Sequence, residues 1–185
     1  MFSSNTTQVA AASSTADPYF YDVPLLLSGD GTNGAQNNTF LDSSTNNFTI
    51  TRNGNTTQGT FTPFSQASGY WGSAFDGSGD YLKAPYIAGE NDLGGNFTIE
   101  FWLYYVSGSP DIVGTATNTA FLGASKGGWI VGYAGTPRLR FGYQYNDTWV
   151  IDNYFDGTTL STNTWTHIAV VRNSGVIKCY VNGTA

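Results

Sequence analysis

Apolar and polar residues alternate most regularly near the middle of the chain, over residues 97–105. The odd positions are all apolar or aromatic: Phe97, Ile99, Phe101, Leu103 and Tyr105. The even positions between them include Thr98 and Glu100. Successive side chains of a strand point to opposite faces, so this pattern predicts a strand with one face on a core.

The C-terminal part of the chain carries the strongest turn signals. Two β-branched runs, residues 165–172 and 176–181, are separated by Asn173-Ser174-Gly175, and an Asn182-Gly183 pair follows. Asn and Gly adopt the positive φ angles that tight hairpin turns need. We therefore expect a hairpin over residues 165–181 and a second turn directly after it.

Shorter runs of the same kind recur along the chain at a spacing of roughly eight to twelve residues. They are residues 19–21, 23–27, 48–52, 121–122, 129–133, 138–145 and 149–151, with a predicted hairpin over 72–84 and a predicted loop over 107–119. This pattern is typical of an all-β sandwich or barrel. The predicted fold class is an antiparallel β-sandwich.

The N-terminal segment differs in composition from the rest. Residues 1–16 consist mainly of Ser, Thr, Ala and Asn, with hardly any large apolar residue. Such a segment cannot bury enough surface to offset the entropy of ordering it. We expect a flexible arm over residues 1–19, ordered only against a partner, and a single folded domain over residues 20–185.

Composition and charge exclude several classes of partner. Straight-chain helix formers are scarce, which predicts almost no helix. Seven Lys and Arg stand against 13 Asp and Glu, a net charge of −6, and the cations are scattered. We therefore expect no nucleic-acid partner and no membrane partner. The single cysteine, Cys179, allows no internal disulfide and is interpreted as a small buried hydrophobic residue.

Four sequence blocks together resemble laminin-G-like domains, which are concanavalin A-like jelly rolls. The blocks are FDGSGDYL at 75–82, FTIEFW at 97–102, WTHIAVVR at 165–172 and CYVNG at 179–183. They have the order and spacing of that family, over about residues 25–185. The resemblance implies two antiparallel sheets packed face to face. Because family members continue past the last turn, we expect the final strands of the jelly roll to come from a longer chain or, alternatively, from a neighbouring subunit.

A second resemblance involves residues 25–54, which are similar to proteins of marine bacteriophages. There the same jelly roll recurs in virion fibres and appendages. The resemblance implies a virion structural protein, in a tail fibre or capsid decoration, present as a homo-oligomer or in multiple copies. Its arm would contact other virion proteins, and its jelly roll is a candidate binder of host-surface glycans. The alternative is a carbohydrate-binding module of a larger secreted or cell-surface protein.

The acidic residues argue against catalysis. Glucanases that share this fold use two glutamates on one strand, and retaining hydrolysis needs carboxyl groups about 5–5.5 Å apart. This chain has two glutamates. Glu90 lies in a predicted loop, and Glu100 has no acidic residue two or four positions away. The only histidine, His167, has no serine motif beside it and is interpreted as an ordinary strand residue. We predict that the protein is not an enzyme.

Calcium is a candidate cofactor. The resemblance implies a calcium at the rim of the sandwich, where carboxylates and carbonyls supply its six to eight oxygen ligands. The candidate ligands are Asp30, Asp42, Asp76 and Asp80. These residues also suit turns, and no spacing here matches a defined calcium loop. Turn geometry is therefore the favoured interpretation, and a calcium site is the alternative.

Aromatic residues are the candidates for glycan binding, because exposed rings stack on sugars and nearby polar groups bind the hydroxyls. The candidate site contains Tyr145, Trp149, Asp152, Tyr154 and Phe155. The alternative is that the aromatics fill the space between two sheets, since Tyr145 shares a strand face with Leu139. Tyr154 and Phe155, in the predicted loop over 152–157, are the better candidates for exposure.

Overall fold

The computed structural model describes residues 18–29, 39–64, 71–85, 93–108, 111–114, 127–134, 138–145 and 148–185. The chain divides into two compact units, Met1–Pro85 and Tyr86–Ala185, and each is described by itself. Most of the predicted arm lies outside the described residues, and the single domain over 20–185 stays a prediction.

The described residues are all-β, which confirms the predicted fold class. The strands are β1 (Thr51–Asn53), β2 (Thr57–Gly59), β3 (Gly72–Ala74), β4 (Tyr81–Lys83), β5 (Phe97–Tyr104), β6 (Asp111–Gly114), β7 (Gly127–Ala134), β8 (Arg138–Tyr145), β9 (Thr148–Tyr154), β10 (Trp165–Asn173) and β11 (Val176–Val181). A 3₁₀ turn spans Phe20–Asp22, so the predicted strand over residues 19–21 is wrong. Within the described ranges, no helix has the length and apolar character needed to cross a membrane.

In the first unit, β1 pairs with β4 and β2 pairs with β3, both antiparallel. The predicted hairpin over residues 72–84 is therefore wrong, because β3 and β4 each pair with a strand from earlier in the chain. The Asp80 carboxylate accepts the backbone N–H of Asn55, at 2.6 Å, from the turn between β1 and β2. The β1–β2 turn and the β3–β4 loop are thus hydrogen-bonded to each other. On either side of this contact, β1 pairs with β4 and β2 pairs with β3.

The predicted strand over residues 23–27 is also wrong. The backbone N–H of Leu26 donates to the Asp42 carboxylate, at 2.9 Å, and its carbonyl accepts the N–H of Ser43, at 2.8 Å. The Pro24 carbonyl accepts the Ser44 hydroxyl, and proline has no N–H to donate to a sheet. The side chains of Asp42 and Ser44 and the backbone N–H of Ser43 thus bind this segment, in place of a neighbouring strand.

In the second unit, a three-stranded sheet (β11-β10-β5) packs against a four-stranded sheet (β6-β7-β8-β9), with antiparallel pairing throughout. The alternation predicted for residues 97–105 is confirmed, since the odd-numbered side chains of β5 contact the core and the even-numbered Thr98, Glu100 and Trp102 are exposed. The fully buried residues of this core come from both sheets: Val131, Leu139, Phe141, Ile168 and Val170. The second unit is therefore an antiparallel β-sandwich, as predicted.

The predicted hairpin near the C-terminus is confirmed. β10 and β11 are joined by Ser174 (φ 50°) and Gly175 (φ 82°), both in the left-handed region that a type I′ turn requires. Asn182 and Gly183 form a second turn with the same signs of φ, and Val181 bridges to Thr184 across it.

The predicted loop over residues 107–119 is wrong in part, because β6 lies inside it and pairs with β7. Gly114 is the reason that this glycine-containing segment can pair: a Cβ at this position would overlap the carbonyl oxygen of Trp129. The glycine that suggested a loop instead permits a close approach of two strands.

Cys179 occupies an inward position of β11 and belongs to the core. Burial raises the pKa of its thiol to about 11. The interpretation of Cys179 as a small buried hydrophobic residue is confirmed.

Candidate functional site

Polar and aromatic side chains gather on the outer face of β8 and β9. Arg140 lies directly opposite Tyr154, and Asp152 lies opposite Gly142. Because neighbours along a strand point to opposite faces, these side chains share the face that Leu139 and Phe141 of the core do not use. Together with Asp156, just after β9, the residues form what we name the Tyr154 cluster: Arg138, Arg140, Asp152, Tyr154 and Asp156.

Two guanidinium groups contact the Tyr154 ring. The central guanidinium carbon of Arg138 lies 4.5 Å from the ring centroid, and that of Arg140 lies 5.4 Å from it. A cation within about 6 Å of a ring centroid is attracted to the ring electrostatically. The two arginines therefore hold the ring in place. Tyr154 is also accessible to solvent, because it is 38% exposed.

Each arginine also binds a carboxylate. Arg140 Nε lies 2.6 Å from Asp152 Oδ1, and an Arg138 terminal nitrogen lies 2.7 Å from Asp156 Oδ1. The cluster therefore contains two cations and two anions in contact. Exposed ion pairs add little stability, so their main effect here is to orient donors and acceptors around the ring.

The turn after β9 places Asp156 beside Arg138. The Phe155 N–H donates to the Leu139 carbonyl at 3.0 Å, and the Leu139 N–H donates to the Thr158 hydroxyl oxygen at 2.8 Å. The Thr158 hydroxyl in turn donates to the Phe155 carbonyl. These bonds tie the turn to β8 at the point where Arg138 begins that strand.

The structure brings together two of the predicted glycan residues, Asp152 and Tyr154. Phe155 was expected to be exposed, and this is wrong: it packs against the core, because the residue after an outward Tyr154 points inward. Tyr145 and Trp149 lie at the paired ends of β8 and β9, and their side chains are outside the described part of the structure.

The cluster also contains Arg138, Arg140 and Asp156, which are not among the residues predicted from the sequence. The signal was present, because Arg138 and Arg140 are two residues apart on β8, as Asp152 and Tyr154 are on β9. The sequence does not show the register of β8 against β9, which places the two arginines beside Asp152 and Tyr154.

The four calcium candidates do not form a common site among the described residues. Asp30 is outside them, and no group of three or more His, Cys, Asp or Glu residues within them could hold a metal ion. Asp42 is 4% exposed, and both of its oxygens already accept hydrogen bonds, from Leu26, Phe48 and the backbone and hydroxyl of Ser44. Burial raises the pKa of this carboxyl, but those hydrogen bonds outweigh it and hold the pKa below its usual value.

Asp76 and Asp80 lie in the loop between β3 and β4. Asp80 accepts the Asp76 N–H at 3.0 Å, and Asp76 accepts the Ser78 N–H at 2.7 Å. The backbone hydrogen bonds from Asp76 and Asn55 lower the pKa of Asp80. These contacts are those of turn-forming aspartates, and calcium binding at this loop stays a prediction.

Glu90 lies outside the described residues, so the predicted absence of a catalytic glutamate pair stays a prediction. Glu100 lies on the outer face of β5, where its carboxylate is 3.6 Å from His167 Nε2 of β10. The His167 ring also lies 5.2 Å from the Trp102 ring. The histidine therefore has partners within its own sheet.

A comparison with family models decides the family. Residues 76–185, more than half of the chain, match the Laminin_G_3 family, described as Concanavalin A-like lectin/glucanases superfamily. The chain belongs to this superfamily. The Tyr154 cluster lies entirely within the matched residues. Searches of the curated proteins and of the solved structures find no significant match.

Membership of the lectin/glucanase superfamily connects the chain with carbohydrates at a general level. The superfamily's description covers both binding proteins and hydrolases. Whether this chain binds or hydrolyses a carbohydrate therefore depends on the residues of its own site.

Proposed function

We propose that this chain is a non-catalytic carbohydrate-binding domain whose glycan lies on the Tyr154 cluster. The observation that carries the proposal is an exposed aromatic ring fixed by two arginines and bordered by two carboxylates, in a member of a lectin-like superfamily.

The cluster has the three kinds of contact that a sugar needs. The Tyr154 ring offers an apolar surface for the C–H face of a pyranose. Asp152 and Asp156 accept hydrogen bonds from hydroxyl groups, and the arginines donate to hydroxyl oxygens. Because the ring is already held by Arg138 and Arg140, its ordering costs little on binding.

The charges of the cluster favour a neutral sugar. Each arginine is paired with its own aspartate, so neither a surplus cation nor a surplus anion faces the ligand. A sulfated or uronic glycan would have to compete with Asp152 and Asp156 for the guanidinium groups. A hexose with adjacent free hydroxyls has no such competition.

Binding without hydrolysis is part of the proposal. Hydrolysis of a glycosidic bond uses one carboxyl group as an acid and a second as nucleophile or base. Both carboxylates of the Tyr154 cluster are engaged by arginines, and this engagement supports a role in recognition.

Tyr154→Ala is expected to weaken glycan binding about five-fold, because losing one aromatic contact costs on the order of 1 kcal/mol. A neutral-glycan array would identify the ligand, and calorimetry would then compare variants. Tyr154→Phe keeps the ring and should bind within about two-fold of the unaltered chain, a difference of a few tenths of a kcal/mol.

Val176→Ala is the matched control, because Val176 is an exposed residue of the other sheet. Unchanged affinity in Tyr154→Ala, with Trp149→Ala as the variant that loses binding, would move the site to the other end of β9. Cleavage of the bound glycan would contradict the non-catalytic part of the proposal.

We further propose that the domain belongs to a phage particle, as part of a fibre or capsid decoration. The likeness of residues 25–54 to marine phage proteins and the polar composition of residues 1–16 support this. An antibody against the chain should label purified particles in symmetric positions. Labelling of a bacterial cell-wall or secreted fraction alone would instead favour a module of a larger cell-surface protein.

A further inference from the structure

The second unit contains a cavity on the side of β8 and β9 opposite to the Tyr154 cluster. It lies between the two sheets and has a volume of about 260 Å³. Its lining includes Phe97, Phe141, Tyr143, Ile151, Ile177 and Arg172. Val150, which also lines it, is 61% exposed, so the cavity is reached from solvent at that end of the sandwich.

Arg172 occupies a core-facing position of β10. It lies opposite Phe97 of β5 and Ile177 of β11, on the face that also carries the buried Ile168 and Val170. Arg172 is partly exposed there, so its guanidinium lines the cavity and also reaches solvent. The lining is mostly apolar, and its polar groups are the Arg172 guanidinium, the Tyr143 hydroxyl and the backbone of Leu93 and Gly94.

The described contacts of Arg172 leave most of its donors unused. One terminal nitrogen donates to the carbonyls of Leu93, Gly94 and Gly95, at 3.4, 3.3 and 3.4 Å. Nε and the other terminal nitrogen have no acceptor among the described residues, and no carboxylate among them forms an ion pair with Arg172. A guanidinium group carries five N–H donors in a plane that fits a carboxylate with two parallel bonds.

We propose that this cavity binds a small amphipathic carboxylate, with its hydrocarbon body between the sheets and its carboxylate on Arg172. The aromatic and aliphatic walls suit an alkyl or aryl body, and the Arg172 guanidinium, which forms no ion pair among the described residues, supplies the complementary charge. A water molecule occupies about 30 Å³ in the liquid, so the cavity has room for about nine non-hydrogen atoms. Octanoate, a medium-chain fatty acid with eight carbons and two oxygens, is close to that size, and the Arg172 end of the cavity is open to solvent.

This site is independent of the glycan proposal, since the two lie on opposite faces of the same strands. The test is a titration of the full chain with octanoate, followed by calorimetry and by the NMR shifts of the Ile151 and Ile177 methyl groups. 1-Octanol has the same body without the charge, acetate has the charge without the body, and octylamine carries the opposite charge. Octanoate is expected to bind saturably and at least ten-fold more tightly than each of these.

Arg172→Gln is expected to lower the affinity for octanoate at least ten-fold and to leave the affinity for 1-octanol unchanged. Arg172→Lys keeps the charge but not the planar pair of donors, and should retain part of the affinity. Val150→Phe narrows the mouth from an exposed position, so it tests the cavity even if the arginine variants unfold.

Three results would overturn the proposal: no saturable binding of octanoate, equal binding of octanoate and 1-octanol, or unchanged binding in a folded Arg172→Gln variant. Glycan binding, which is measured on the same samples, reports separately on the Tyr154 cluster.

Discussion

Phe141→Ala is expected to lower the free energy of unfolding of the second unit by about 3–5 kcal/mol, the largest effect of any single substitution proposed for this protein. Phe141 is 1% exposed, and its ring lies 5.4 Å from the ring of Phe97 in the opposite sheet. Removing it loses the transfer energy of the ring and enlarges the cavity beside it. Urea titration of the full chain measures the loss in unfolding free energy. Hydrogen exchange of the β8 amides shows whether the loss occurs in the second unit.

Val176→Ala is again the control, because Val176 is 58% exposed at the start of β11 and its truncation should cost less than about 0.5 kcal/mol. Phe141→Leu should fall between the two, since a leucine fills part of the space. A loss below about 1 kcal/mol for Phe141→Ala would mean that the two sheets are not held together at this point.

The sequence predicted well where the signal was local or strictly periodic. The alternation along β5 and the positive φ angles of Ser174 and Gly175 depend on neighbours in the chain alone. Both features leave few alternatives, because a shift of one residue in β5 would expose the whole apolar face. These elements therefore establish the sandwich of the second unit.

Prediction failed where partners come from distant parts of the chain. Residues 23–27 have an apolar composition that suits a strand, yet their backbone is bound by Asp42 and Ser44. β3 and β4 flank a good turn, yet β3 pairs with β2 and β4 pairs with β1, both from earlier in the chain. Composition cannot show such choices, because the competing pairings have similar local propensities.

The same limit applies to the candidate sites. Tyr154 and Asp152 were found through their residue types, whereas Arg138 and Arg140 became relevant only through the β8–β9 register. Arg172 ends an otherwise apolar run and looks like the exposed end of a strand. Its inward position follows from the pairing with Phe97 and Ile177, which the sequence alone does not fix.

Asp42→Ala is expected to destabilise the first unit by about 3 kcal/mol, because it leaves the buried N–H of Ser44 and the partly buried N–H groups of Leu26 and Phe48 without their acceptor. Asp42 replaces a strand ladder for the segment around Leu26, so hydrogen exchange should accelerate most there. Asp80→Ala is the matched control, since Asp80 also accepts backbone N–H groups but on the protein surface. Equal effects of the two substitutions would contradict the role of burial.

The pH dependence of Asp42→Asn tests the same carboxylate by its charge. The pKa of Asp42 is held below the ordinary value of 3.8, so its stabilising contribution is complete above that pH. The contribution is lost as the pH falls through the lower pKa of the folded state. The difference in unfolding free energy between the unaltered chain and Asp42→Asn should therefore shrink below about pH 4.

Excess calcium and excess EDTA should leave the unfolding midpoint unchanged at neutral pH, because hydrogen-bond donors already occupy the Asp42 carboxylate. A calcium-dependent rise that Asp42→Asn abolishes would instead establish the metal site.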